Sequence, residues 1–156
     1  MIDSPEENPW GDWNAHLFFL NRRKNLIFVN NKSYYCLIIQ DIKKADLKDF
    51  ESLFVNRLIE QLQFDKIIKP DDALVVFQKL LPLTLTKTNN DKKAIGTMNE
   101  YVYIFKLHDT HPPSQGKPLK LINHHINNTP MSAGKQEKER YAYPIEDMKE
   151  LMKDFR

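Results

Sequence analysis

Apolar and polar positions alternate along this chain in two distinct rhythms. Near the N-terminus, Leu17-Phe18-Phe19-Leu20, Asn25-Leu26-Ile27-Phe28-Val29 and Ser33-Tyr34-Tyr35-Cys36-Leu37-Ile38-Ile39 are short runs rich in aromatic and β-branched side chains. The polar tetrad Asn21-Arg22-Arg23-Lys24 separates the first two, and Asn30-Asn31-Lys32 separates the last two. Such runs with polar breaks read as two or three antiparallel strands, organised around a strand pair spanning roughly Phe18 to Ile39. Their apolarity is continuous rather than alternating, which predicts that the central strand is covered on both faces.

A period of three to four takes over downstream. Leu47, Phe50, Leu53/Phe54, Leu58 and Leu62 mark a helix from Asp46 to Gln63, with Lys48, Glu51, Arg57, Glu60 and Gln61 on its other face. Asp46 is placed to cap it, and Asp49 and Glu51 suit the positive end of its dipole. Pro70-Asp71-Asp72 opens a second helix through Leu80, ended by Pro82. Leu83-Thr84-Leu85-Thr86-Lys87-Thr88 alternates as a strand does, and Asn89 to Lys93 reads as a polar turn. Ile95 to Leu107 fits a helix through Met98, Val102 and Phe105, or a strand through Tyr101 to Phe105; helix is the preferred reading. Thr110 to Gly116 is a loop, Leu119 to Asn127 a short helix, and Ala133 to Arg140 an exposed charged stretch. Pro144 starts a last helix with Ile145, Met148, Leu151/Met152 and Phe155 on one face. The expected fold is therefore α+β: a small antiparallel sheet of the N-terminal strands plus one later strand, packed against four or five helices. Residues 1–12 are expected to form an acidic flexible arm and residues 13–156 a single domain. Trp10 and Trp13 most simply dock that arm on the body, with ligand stacking as the other reading.

Composition narrows the functional classes. With 156 residues, 41% apolar and 28% charged, the chain is ordinary globular material for one core. Its net charge of +2 comes from 23 basic and 21 acidic side chains, a balance that argues against a wholesale polyanion binder but leaves room for a local basic patch. One cysteine, Cys36, rules out an internal disulfide framework. The opening Met1 to Pro9 has neither a basic nor an apolar region of a signal peptide, and no apolar run approaches a membrane span. A cytoplasmic protein is expected, in which the sequons at Asn31 and Asn127 are inert.

Two basic segments carry the best candidate chemistry. Arg22 and Arg23 with Lys24 occupy a turn, with Lys32 across the next one; guanidinium groups there suit phosphate or carboxylate, although a solvated hairpin tip explains them too. Lys87, Lys92 and Lys93, with Thr86, Thr88, Asn89 and Asn90, form a second cluster. Gly96-Thr97 at an expected helix start suits an anion, while Thr97 with Glu100 equally fits a capping box. The P-loop spacing is absent. His108 and His111 are close in sequence and His124-His125 are adjacent, but no Cys pair or His-Glu-x-x-His accompanies them, so no metal and no cofactor is expected. There is no Gly-x-Ser-x-Gly, and Cys36 sits inside an apolar strand, unsuited to be a nucleophile.

Asn21-Arg22-Arg23-Lys24 with Leu26 to Asn30, Thr86-Lys87-Thr88 leading to Ile95-Gly96-Thr97-Met98-Asn99, and Asn127 to Met131 together resemble an uncharacterised bacterial domain family of unknown function. The resemblance covers roughly Trp13 to Ala133, with the last helix as an addition. It implies a choice of positions: Asn21, Arg22, Arg23, Asn30, Thr88, Thr97, Asn99, Asn127 and Thr129. These are amides, hydroxyls and guanidinium groups, which recognise phosphates, bases or backbone better than they transfer protons. The expectation is a small binding or regulatory module for a phosphate-bearing ligand (nucleotide or nucleic acid) or a partner protein, of the kind found in toxin–antitoxin or phage-defence settings. Arg22, Arg23, Lys32, Lys87, Thr88, Thr97 and Asn99 would bind, supported by Asn21, Asn30, Asn127 and Thr129. The alternatives are an enzyme acting on RNA or a nucleotide, with His16 or His124 as base and Arg23 as clamp, and a purely protein-binding subunit.

Overall fold

The computed structural model describes residues 10–20, 22–80, 92–109, 119–129 and 143–153. Three strands, β1 (Trp13–Leu20), β2 (Arg23–Asn30) and β3 (Cys36–Ile39), form an antiparallel sheet in the order β1-β2-β3. Leu20 pairs with Arg23, and Arg22 between them takes the left-handed φ of +65° typical of a tight hairpin connection. The next turn is built on Asn30. Its Oδ1 accepts from the Lys32 and Ser33 backbone N–H groups at 2.9 and 2.8 Å, and its Nδ2 donates to the Trp10 carbonyl at 2.7 Å. Gly11 lies against this turn at φ +82°, and a Cβ there would sit 2.7 Å from Asn31 Oδ1, so no side chain fits. These contacts hold the chain that leads into β1 against the sheet. Trp10 is buried, and Trp13 packs edge-on to Phe54 at 5.4 Å, so both indoles pack on the body.

The continuous apolarity of β2 has the predicted cause. Leu26 and Phe28 face one cluster with Phe54, Leu58, Leu62, Val76, Ile145 and Met148; Ile27 and Val29 face a second with Met98, Tyr101, Phe105, Ile122 and Ile126. In β3, Leu37 and Ile39 join the first cluster and Cys36 and Ile38 the second. The sheet thus lies between two helical layers: α2 (Phe50–Phe64), α3 (Ala73–Leu80) and α6 (Pro144–Met152) on one face, α4 (Lys92–Asp109) and α5 (Leu119–Asn127) on the other. Each side chain of Ile27 and Val29 size buried in this way contributes about 1.5–3 kcal/mol.

The expected helix from Asp46 is two helices. α1 (Lys44–Lys48) stops at Asp49, whose φ/ψ of −124°/52° is not helical, and α2 starts after it. Asp46 lies inside the first turn of α1, where its carboxylate accepts from the Lys43 N–H at 2.8 Å instead of capping a longer helix. The break turns Leu47 outward, to 49% exposure. Pro70–Asp72 forms a 3-10 turn before α3, a tighter opening than the helix expected there. Residues 95–107 are helical, and α4 begins at Lys92, so Lys92 and Lys93 belong to the helix and not to a turn. α5 matches its expected limits, and α6 starts at the expected Pro144. The expected strand at 83–88, the loop at 110–116, the stretch 133–140 and Phe155 lie outside the described residues, as does most of the arm. Among the described residues, no helix is long and apolar enough to cross a membrane.

Candidate functional site

β3 has β2 on one side; on its other edge the main-chain groups meet amides from α5. A helix turn places Asn123 and Asn127 on one face, four residues apart, beside the apolar pair Ile122 and Ile126. Asn127 Oδ1 accepts from the Cys36 N–H at 2.6 Å and its Nδ2 donates to the Cys36 carbonyl at 2.8 Å. Asn123 does the same at Ile38, both bonds at 3.1 Å. Two carboxamides thus complete the ladder as a fourth strand would, satisfying buried donors and acceptors that are costly to leave unpaired.

The network continues into α2. Asn123 Nδ2 also approaches Gln61 Oε1 at 3.3 Å, and Gln61 Nε2 donates to the Lys120 carbonyl at 3.0 Å and to Asp65 Oδ1 at 3.1 Å. Asp65 ends α2 with its carboxylate fully buried. The Tyr35 hydroxyl donates to its Oδ2, and His124 Nδ1 lies 2.7 Å from its Oδ1. Burial, and then the neighbouring Asp65 carboxylate, hold the Tyr35 hydroxyl well above its ordinary range, so it stays a donor. With Tyr35 and Gln61 donating, Asp65 is the acceptor and His124 Nδ1 carries the proton. That tautomer leaves Nε2 with a free lone pair. The ring is 40% exposed, packs edge-on against Phe64 at 5.9 Å, and its Nε2 meets no partner among the described residues.

An open groove of about 320 Å³ runs between β3, α2 and α5; it reaches α5 at Leu119, Lys120 and Asn123, and His124 is not among its lining residues. Leu37, Ile38, Ile39 and Leu119 supply apolar lining; Gln40, Arg57, Glu60, Gln61, Lys120 and Asn123 supply the polar part. Arg57 and Lys120 lie 3.5 and 3.9 Å from Glu60, all three about half exposed. Exposed ion pairs of this kind are worth about 0–1 kcal/mol, so Glu60 is a weak competitor for a ligand that needs both cations.

The basic hairpin turn stands at the same end of the sheet. Leu26 pairs with Ile39, Asn25 Oδ1 accepts from the Asp41 N–H at 3.1 Å, and the Lys24 carbonyl accepts from Ile42 at 2.8 Å. Arg22, Arg23 and Lys24 are exposed just beyond that point, about 10 Å past Leu26 at strand rise. Lys32 is exposed at the opposite end of β2, about 25 Å from Arg23 by the same rise, so the two basic turns are not brought together. Asn30 and Asn127 are fully buried, with their amides used on the neighbouring main chain. Thr129 Oγ1 donates to the His125 carbonyl at the end of α5. Gly96 and Thr97 lie inside α4, not at its start, which removes both the capping box and a helix-terminus anion site there. A Cβ on Gly96 would meet nothing within 4 Å, and the buried Thr97 hydroxyl has no partner among the described residues. Asn99 is exposed on α4, as is His16 on β1. Cys36 is a buried free thiol, held protonated by burial. Asn21, Lys87 and Thr88 lie outside the described residues, as do the side chains of His108 and His111.

A family model for a domain of unknown function, DUF6933, matches residues 2–147. The chain belongs to this family. The DUF6933 match takes in the N-terminal arm and the start of α6, so it is wider than the Trp13 to Ala133 span that the sequence motifs suggested. No curated protein and no solved structure is significantly similar to the chain. In this DUF6933 domain, Gln61, Asp65 and Asn123 leave no mark in the sequence as site residues. Periodicity puts Gln61 on a solvent face, yet it is buried, 1% exposed, because α5, about sixty residues away, brings the Lys120 carbonyl and Asn123 against it. The spacing of Asn123 and Asn127 beside Ile122 and Ile126 was the available signal: a polar stripe flush with an apolar one.

Proposed function

We propose that the protein is a small cytoplasmic binding module for a phosphate-bearing ligand, a nucleotide or a single strand of nucleic acid, held in the groove between β3, α2 and α5. The observation that supports this most is that Arg57 and Lys120, which both meet Glu60, line the same apolar groove, with His124 one helical turn beyond Lys120 on α5. Apolar lining suits a base or ribose face, and convergent cations suit the phosphate. Arg22, Arg23 and Lys24, at the same end of the sheet, extend the positive surface along which a longer strand would run. The single buried thiol accords with a reducing compartment.

Fluorescence anisotropy with a labelled single-stranded 12-mer RNA tests the reading. Saturable binding is expected, and raising salt from 50 to 200 mM should weaken it roughly 7- to 20-fold if two or three phosphates are contacted. Arg57→Ala and Lys120→Ala should each weaken binding several-fold and flatten the salt dependence. Affinity that ignores salt, or that both variants leave intact, refutes the groove as the site.

A further inference from the structure

We infer that His124, oriented by Asp65, is a general base that cleaves single-stranded RNA bound in the groove, by activating the ribose 2′-hydroxyl. The inference rests on the phosphate-binding reading above and adds chemistry to it.

Three features of the geometry carry it. His124 Nδ1 is tied at 2.7 Å to a carboxylate that is itself fully buried and held by Tyr35 and Gln61, so the ring cannot rotate freely. The basic Nε2 therefore points away from Asp65, on a ring edge that solvent reaches. Buried carboxylates of this kind fix the tautomer and stabilise the imidazolium that forms when the ring takes a proton. Lys120 lies one helical turn before His124, on the same face, which places the two side chains about 6 Å apart at their bases. A phosphodiester resting on Lys120 and Arg57 would sit one helical turn from the His124 ring, which borders the groove without lining it.

The class of substrate follows from what surrounds the ring. Among the described residues, His124 contacts Asp65 and Phe64, and no hydroxyl or thiol stands beside Nε2 to be activated. A ribonucleotide strand brings its own nucleophile. His124 Nε2 takes the proton of the 2′-hydroxyl, the 2′-oxygen forms a bond to the adjacent phosphorus, and the bond from phosphorus to the 5′-oxygen breaks. The electron pair leaves on that 5′-oxygen, which recovers the proton from the imidazolium. The products are a 2′,3′-cyclic phosphate and a 5′-hydroxyl end, with no other reactant consumed. Arg57 and Lys120 face the extra negative charge on the phosphorane.

The test uses the full chain and a labelled single-stranded 12-mer RNA in single-turnover conditions, with products identified by mass spectrometry. A matched 12-mer with 2′-O-methyl groups throughout reports binding without reaction. The expected result is cleavage to cyclic-phosphate and 5′-hydroxyl ends, none with the methylated strand, and a loss of at least about 100-fold in rate for His124→Ala and His124→Gln. Both variants should bind the methylated strand within about threefold of the parent. Binding of both strands without cleavage overturns the catalytic inference and leaves the groove reading standing. Cleavage by the His124 variants at the parent rate, or ends other than cyclic phosphates, also overturns it. No saturable binding of either strand overturns the groove reading and the inference together.

Discussion

Replacing Asn127 with alanine removes one of the two carboxamides that pair with the edge of β3. It deletes two hydrogen bonds to Cys36, of 2.6 and 2.8 Å, at a residue with no exposed surface. The two bonds are worth about 2 kcal/mol together, and leaving the Cys36 N–H and carbonyl buried without partners adds about 1–3 kcal/mol. The expected loss is about 3–5 kcal/mol, a large share of the roughly 5–15 kcal/mol that holds a domain folded. In a chain of this length that lowers Tm by roughly 6–20 °C. Urea unfolding followed by circular dichroism measures it, with the midpoint reporting stability and the slope reporting any change in the surface exposed. Asn99→Ala, on the exposed face of α4, is the control and should change stability by less than about 0.5 kcal/mol. Asn123→Ala combined with Asn127→Ala should cost less than the sum of the two, because either change loosens the same helix. A cost below about 1 kcal/mol for Asn127→Ala would refute the view that α5 completes the sheet.

Two further outcomes are expected. Glu60→Gln removes the carboxylate that shares Arg57 and Lys120, so phosphate ligands should bind several-fold tighter in the anisotropy assay; weaker binding would mean that Glu60 itself holds the ligand. Stability should fall in alkali: burial holds Cys36 above its ordinary value near 9, so the unfolded chain loses that proton first and folding weakens as pH rises past that value. Between pH 9 and 10 this amounts to about 1 kcal/mol. Tyr35, raised for the same reason from an ordinary value near 10, continues the decline at higher pH. Cys36→Ala should flatten the first part of the curve and leave the second, and parallel curves for the two proteins from pH 9 to 10 would contradict the assignment.

The sheet was legible because burial on both faces leaves a plain trace: Leu26 to Val29 and Tyr35 to Ile39 have no room for a polar residue. α5 and α6 were legible for the opposite reason, one apolar stripe each at helical spacing. The break at Asp49 was not, because Asp46 and Asp49 both suit a helix start; in the structure Asp46 sits in the first turn of α1 on the Lys43 N–H, and Asp49, with a non-helical backbone, precedes α2. Gly96-Thr97 misled in the same way, since a capping pattern inside a helix reads like one at its start. Of the basic residues read as a turn, Arg22 lies in it while Arg23 and Lys24 open β2, and their position relative to the groove follows from the pairing of Leu26 with Ile39, a long-range contact. The site itself was least legible. Gln61, Asp65 and Asn123 are polar residues whose burial depends on one another across α2, β3 and α5, and periodicity assigns such residues to solvent.

The central claim is that a phosphate ligand binds in the groove between β3, α2 and α5. Amide chemical shifts of the isotope-labelled protein, followed during titration with adenosine monophosphate, test that most directly. The groove reading predicts shifts concentrated at Leu37 to Gln40, Arg57 to Gln61 and Leu119 to His124, with smaller changes at Arg22 to Lys24. Shifts concentrated instead around Lys32 or Thr97 to Asn99, or none at saturating nucleotide and in a parallel titration with single-stranded RNA, would contradict it.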